Sequence, residues 1–183
     1  MSITAKLSTV EGPHLNLRLI RATDAEYVYT LRTDPSYNKH LTPVRGTVED
    51  QRRWIETYKA RESELRELYY VITRKDGTRC GLVRLYDITT HSFTWGSWIL
   101  DHNKTRKAAL ESAVLVYTVA FNYLGLIAAQ FDVRRDNSST LAFHRRFGAT
   151  ETHKTDQDIF FMYPSERFAA DRARYLLILQ EEG

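Results

Sequence analysis

Residues His14 to Ile20 (HLNLRLI) alternate apolar and polar side chains, the period of a half-buried strand. Thr23 or Asp24 can cap a helix running to about Arg32, and Thr33-Asp34-Pro35 ends it, because a residue before proline is pushed out of the helical region. Tyr37 to Arg45 reads as a polar loop. Thr47-Val48-Glu49-Asp50 opens a second helix to about Arg61, with Trp54, Ile55 and Tyr58 toward the core. Three strands follow: Glu67 to Arg74, Arg79 to Ile88 and Phe93 to Leu100. Lys75-Asp76-Gly77 turns the first into the second, and Thr89 to Ser92 turn the second into the third.

The next helix begins near Thr105, with Ala109, Ala113, Val116 and Ala120 on one stripe and Leu110, Val114, Tyr117 and Phe121 beside it. A helix apolar over most of its circumference packs on more than one side. Gly125 closes it. Ile127 to Val133 reads as a buried strand and Asn137 to Phe147 as a helix stopped by Gly148. Ala149 to Lys154 and Asp158 to Tyr163 form a last strand pair, and Ser165 to Gln180 a helix with an apolar end. The pattern predicts one mixed α/β (α+β) domain over residues 1–183, mainly antiparallel, with a single parallel crossover around the central helix. Residues 1–12 read as a loose leader and 164–183 as a C-terminal helix and tail.

Composition narrows the function classes. The net charge of +3 and pI near 9.0 permit an anionic ligand, while the scattered basic residues carry no nucleic-acid-binding fingerprint. The lone Cys80 excludes an internal disulfide and fits a reducing cytoplasm. The first residues lack the apolar core of a secretory signal, and no run has the length of a membrane span. The histidines show no metal-ligand spacing, so no metal is expected. Candidate chemistry gathers instead where a strand leads into the central helix. Its first turn offers free backbone N–H groups and the positive end of the dipole, with Lys104, Arg106 and Lys107 clustered there, a setting that suits a phosphate or pyrophosphate.

From that loop onward the chain resembles the GNAT family of acyl-CoA-dependent N-acetyltransferases. Lys104-Thr105-Arg106-Lys107-Ala108-Ala109 aligns with the family's Q/R-x-x-G-x-G/A loop, with Lys107 in place of a glycine. Glycine lets backbone approach a pyrophosphate closely, so Lys107 must either turn its side chain away or offer its ammonium to a phosphate. Tyr117 to Leu126 (YTVAFNYLGL) and Val133 to Ala149 (VRRDNSSTLAFHRRFGA) match further family segments, and Asn137 matches an asparagine that helps hold the pantetheine arm. Tyr69-Tyr70-Val71-Ile72, Gly81-Leu82-Val83 with Tyr86-Asp87-Ile88, and Trp95-Gly96-Ser97-Trp98 look like the branch that acetylates nucleotide-linked amino sugars. That branch sits close to the enzymes that acetylate ribosomal-protein N-termini.

The resemblance implies a twisted sheet with helices on both faces and a splayed central strand pair. Acetyl-CoA is the implied co-substrate, held by Lys104 to Ala109, by Asn137 and by backbone around Trp98, Ile99 and Leu100. His144 stands where many members place a tyrosine that protonates the leaving thiolate, and an imidazole with its ordinary pKa near 6.5 suits that task. No general base is evident: Asp87, Tyr86 and Glu111 are candidates, and a water chain is an alternative. Tyr37, His40, Tyr86, Asp87 and Trp95 are expected around a small-molecule amine acceptor, with the exposed face of Trp98 left open. A protein N-terminus is the competing acceptor, and a non-catalytic acyl-CoA-binding domain the competing function. The C-terminal helix could cap the acceptor site or form a homodimer contact.

Overall fold

The structure is a computed structural model that describes residues 2–181. It opens with helix α1 (Ile3–Ser8), capped by Ser2, and runs directly into strand β1 (Thr9–Glu11). Leu7 and Val10 are buried, and the Tyr70 hydroxyl donates to the Leu7 carbonyl at 2.9 Å. The expected loose leader is therefore part of the sheet. Elements this short carry no readable periodicity, and tertiary contacts rather than local propensity hold them.

Strand β2 (Leu15–Leu19) pairs antiparallel with β1. A 3-10 turn (Ala22–Asp24) leads into α2 (Ala25–Thr33). The Asp24 carboxylate accepts from the Arg21 N–H at 2.8 Å and pairs with Arg18 and Arg79, which together hold it below the usual carboxylate range despite burial. Helix α3 (Val48–Ser63) begins in a capping box between Thr47 and Asp50. Ile55 and Tyr58 are buried as the pattern predicts, whereas Trp54 stands exposed at the rim of a cavity instead of in the core.

The other strands are β3 (Leu68–Arg74), β4 (Arg79–Tyr86), β5 (Ser92–Leu100), β6 (Ala128–Arg134), β7 (Thr150–Lys154) and β8 (Asp158–Pro164). They form one sheet in the order β1-β2-β3-β4-β5-β6-β8-β7. Every neighbouring pair is antiparallel except β5–β6. That parallel pair meets only at Ser92 with Ala128 and Phe93 with Ala129, and beyond Phe93 the strands diverge.

Both faces of the sheet are covered. Tyr70, Ile72, Val83, Leu85, Phe93 and Trp95 pack under α1, α4 (Ala108–Tyr117), α5 (Ser138–Phe147) and α6 (Ser165–Gln180). Tyr69, Val71, Leu82 and Ile99 pack with α2 and α3 on the other face. Helix α4 starts three residues later than the pattern suggests and runs on into a π-helical turn (Thr118–Tyr123). Residues 101–107 fold around buried Asp101, whose carboxylate accepts from the Asn103 N–H (2.8 Å) and the Tyr27 hydroxyl (2.7 Å). Ile127 is exposed rather than buried, and β6 beyond it alternates, with Ala129, Phe131 and Val133 inward and Gln130, Asp132 and Arg134 outward. Glu111 is structural: its Oε2 accepts from the His14 and Leu15 N–H groups at 2.9 and 2.7 Å, tying the β1–β2 connection to α4.

Candidate active site

Where β5 and β6 part, a cavity of about 830 Å³ opens, within the size range of small-ligand sites. Its geometry begins with a bulge in β5. Leu82 pairs with Ile99 but Arg84 pairs with Gly96, so β5 carries one extra residue there, and Ser97 takes a left-handed conformation (φ +48°). The bulge resets the alternation. Trp95 and Trp98, three apart, fall on one face with ring centroids 5.0 Å apart, while Ile99 turns to the opposite core. Both indoles are anchored to α4: Trp95 Nε1 donates to the Tyr117 hydroxyl (3.2 Å) and Trp98 Nε1 to Ser112 Oγ (3.1 Å).

His144, from α5, completes this aromatic wall. Its ring lies 4.4 Å from Phe131, 5.3 Å from Trp95 and 5.9 Å from Trp98, centroid to centroid. It is buried, and loss of solvation drives its pKa down to about 3. The ordinary imidazole pKa expected at this position does not hold, so at neutral pH the ring is uncharged.

The opposite side of the cavity is polar and aromatic. Tyr37, His40, Tyr86, Trp54, Arg32 and Arg45 line it. Arg84 lies 4.7 Å from the Tyr86 ring and 5.6 Å from that of Trp54, and donates to Glu67 at 3.1 Å. His40 Nδ1 meets Asp136 at 3.1 Å, a contact between the α2–α3 loop and the β6–α5 loop. Tyr37 accepts from the His102 N–H at 3.2 Å.

The structure thus brings together Tyr37, His40, Tyr86, Trp95, Trp98, Asn137 and His144 on one cavity. Asp87 is not among them. It sits exposed in the β4–β5 turn at φ +48°, outside the cavity, because a turn residue lies beyond the strand that carries Tyr86. Ile99 buries its side chain in the α2–α3 core and Leu100 packs against the opposite one, leaving their backbone for any contact with a ligand. Glu111 faces the β1–β2 connection, which removes it as a base at this cavity. Lys104, Thr105, Arg106, Lys107, Ala108 and Ala109 stand apart from the cavity wall, at the start of α4. Lys104 and Arg106 are exposed. Lys107 Nζ donates to the Ile178 carbonyl of α6 at 2.8 Å, so its side chain is turned away from the helix N-terminus. Helix α6 packs on α4 and β8 and contributes nothing to the cavity wall, so it does not cap the acceptor side.

Arg32, Arg45, Trp54, Arg84, Asp132, Arg134 and Asp158 also line the cavity and escaped sequence reasoning. For Asp132 a signal existed: reading β6 as alternating rather than wholly buried would have pointed it outward. Among the described residues no group of three or more His, Cys, Asp or Glu could hold a metal ion, and no helix is long and apolar enough to cross a membrane.

Acetyl-CoA fits these residues. The diverging strands leave backbone groups unpaired along the gap, as an amide-bearing pantetheine arm requires. At the start of α4 the N–H groups of the first turn lie beside the Thr105 hydroxyl, which is buried without a protein partner.

A family profile described as "Acetyltransferase (GNAT) domain" matches residues 14–150. A solved structure described as "Apo FdhC- a nucleotide-linked sugar GNAT" is 36% identical, covers 91% of this chain and 96% of its own, and superposes with a TM-score of 0.85. Mycobacterium smegmatis RimJ in complex with CoA-disulfide is 19% identical, with 92% and 93% of the chains covered and a TM-score of 0.77. The ribosomal-protein-S5-alanine acetyltransferase of Vibrio fischeri is 15% identical, with 86% and 97% covered and a TM-score of 0.74. These last two show the fold alone. No protein of curated function matches the chain in sequence. The chain belongs to the GNAT family of N-acetyltransferases, enzymes for which acetyl-CoA is the acyl-donating co-substrate.

Proposed function

We propose that the acetyl acceptor is an amino sugar carried on a nucleoside diphosphate. The observation that carries this is the charge of the acceptor half of the cavity. Arg32 and Arg45 line it, and among the described residues neither is paired with a carboxylate, the Arg32 guanidinium donating instead to the Thr42 carbonyl at 2.9 Å. Two uncompensated guanidinium groups suit a diphosphate, which they can grip through paired N–H donors. Trp54, Tyr37 and Tyr86 offer aromatic faces of the kind that bind a base or a sugar ring. A protein N-terminus brings no compensating negative charge of its own. The similarity to a nucleotide-linked sugar GNAT supports the same acceptor class.

In this reading the pantetheine arm lies between β5 and β6, with Asn137 beside it and the phosphates at the start of α4 near Lys104 and Arg106. The backbone around Trp98, Ile99 and Leu100 aligns the thioester and polarises its carbonyl. The amine enters from the side of Tyr37, His40 and Tyr86, with Trp95 behind the acetyl group. His144 contributes a neutral N–H near the sulfur. A lone, buried Cys80 whose thiol is pushed up to about 12 by burial suits a reducing cytoplasm.

The test is acetyl-CoA consumption with nucleoside-diphosphate aminohexoses, compared with peptides bearing free Ser or Ala N-termini. Turnover of the aminohexoses is expected, and preferential acetylation of the peptides would overturn the assignment. Arg45→Ala is expected to raise the KM for the nucleotide sugar roughly 10-fold, the scale of one charge-assisted hydrogen bond, with the KM for acetyl-CoA unchanged.

A further inference from the structure

We propose that Asp132 is the general base that takes the proton from the acceptor's ammonium group. This rests on N-acetyl transfer itself and not on which amine is accepted.

Asp132 lies on β6 between Phe131 and Val133, which point into the core, so its carboxylate is presented to the cavity on the acceptor face of the sheet. It stands on the strand that splits from β5, three residues beyond Ala129, whose pairing with Phe93 is the last between the two strands. Across the gap, β5 presents Gly96, which has no side chain to obstruct the approach. The Tyr86 hydroxyl lies 3.6 Å from where a Gly96 Cβ would stand, on the same face. A nucleophile reaching the thioester from the acceptor side therefore passes between Tyr86 and Asp132.

The charges around Asp132 leave it available. Among the described residues it forms no ion pair, and the Arg134 charge only partly offsets the upward push on its carboxyl. Its neighbour Arg134 is engaged with Asp158 at 3.7 Å and with the Gln157 side chain at 2.8 Å. From β8, Asp158 adds like charge, and from β4 the Tyr86 phenol is held neutral by burial, with Asp132 adding to the same direction. Arg84 is committed to Glu67, and His40 to Asp136. Partial burial and the Asp158 charge push the Asp132 carboxyl above the usual carboxylate range, toward better proton affinity. The other carboxylates on the cavity have partners: Asp50 caps α3 and Asp158 meets Arg134.

The ammonium R–NH3+ gives one proton to the Asp132 carboxylate, which later releases it to water. The neutral nitrogen attacks the thioester carbonyl, a C–N bond forms and the C–S bond breaks with its electron pair on sulfur. The second proton lost from nitrogen ends on that sulfur, giving the amide and the free thiol of CoA.

The experiment compares wild type, Asp132→Asn and Asp132→Glu from pH 6 to pH 10, using whichever of the aminohexose or peptide acceptors the wild type turns over. Calorimetric acetyl-CoA binding confirms that each variant is folded. At pH 7, D132N is expected to lose about 100-fold in kcat/KM for the amine while its acetyl-CoA affinity stays within twofold of wild type. The deficit should shrink tenfold per pH unit and vanish as the amine becomes neutral in solution, and D132E should recover part of the loss. A D132N rate equal to wild type at pH 7 overturns the proposal, as does a deficit of constant size at every pH, which marks a binding or structural role. Turnover of peptides alone would overturn the nucleotide-sugar reading and leave these profiles to decide the role of Asp132, since an alkyl ammonium must lose the same proton.

Discussion

His144 shows how position in the chain and environment in the fold can point in different directions. Its alignment with a proton-donating tyrosine is legible in sequence, and the structure does place it on the cavity. The aromatic shell of Trp95, Trp98, Phe131 and Phe143 is not legible there, because those rings come from β5, β6 and α5. That shell pushes the pKa from an ordinary 6.5 to about 3. The neutral ring can offer an N–H to a developing thiolate but is not an imidazolium acid at pH 7. His144→Phe is therefore expected to lower kcat roughly 10-fold, the worth of one hydrogen bond to a charged group, with acetyl-CoA affinity unchanged. An unaltered kcat would remove His144 from the mechanism. The same depressed pKa has a stability consequence. The unfolded chain binds a proton at His144 below about pH 6.5 and the folded chain does so only near pH 3, so folding stability is full above 6.5 and falls as pH drops between these values. The slope approaches about 1.4 kcal/mol per pH unit. Urea titrations at pH 7 and pH 4.5 should show H144F losing less stability than wild type over that interval.

At the level of elements, local signals are legible in the sequence and tertiary ones are not. The C-terminal helix runs over the expected Ser165–Gln180, and Gly148 ends α5 at φ +108°. The capping box at Thr47 and the turn at Gly77 announce themselves because each is local chemistry. The late start of α4 does not, since Asp101 holds residues 101–107 in turns through partners on α2 and β4 that a linear reading cannot pair. The bulge at Ser97 is the most consequential of the features that a linear reading cannot supply. Strict alternation would send Trp95 and Trp98 to opposite faces and leave the aromatic wall incomplete. Ser97 accepts a positive φ that a β-branched residue resists strongly and that glycine adopts freely. Ser97→Val should lower folding stability by ~1–3 kcal/mol, while Ser97→Gly should leave it equal or slightly higher. Thermal unfolding of the two variants checks this, and equal melting temperatures would mean that the bulge is not under backbone strain.

The whole molecule is two sheet segments joined at a narrow seam. Strands β1 to β5 form one and β6, β8 and β7 the other, with two parallel residue pairs between them and α4 packed behind. The α1–β1 segment, unreadable as structure in the sequence, lengthens the first segment and is fastened to α4 by Glu111. Gly12 lets that carboxylate approach so closely that a Cβ there would lie 2.4 Å from its Oε2. The family resemblance anticipated the splay, because loop and helix motifs follow one another at the right spacing; the weakness of the seam is visible only in the register. In the proposed reading, a co-substrate lying in the gap would supply the contacts that the strands do not make to each other. Acetyl-CoA should therefore stabilise the protein by about 2.7 kcal/mol at a hundredfold excess over its Kd. For a chain of this size that is a rise in Tm of roughly 5–10 °C. Hydrogen exchange should slow along both lips of the gap, at residues 96–100 of β5 and 131–134 of β6, and at the first turn of α4. CoA without its acetyl group should give nearly the same pattern, and a nucleotide without the pantetheine arm should protect α4 alone. A melting temperature unmoved by millimolar acetyl-CoA, or protection confined to one lip, would mean that the arm does not bridge the seam. The thioester would then have to be aligned by a surface other than the one where Trp98, Asn137 and His144 converge.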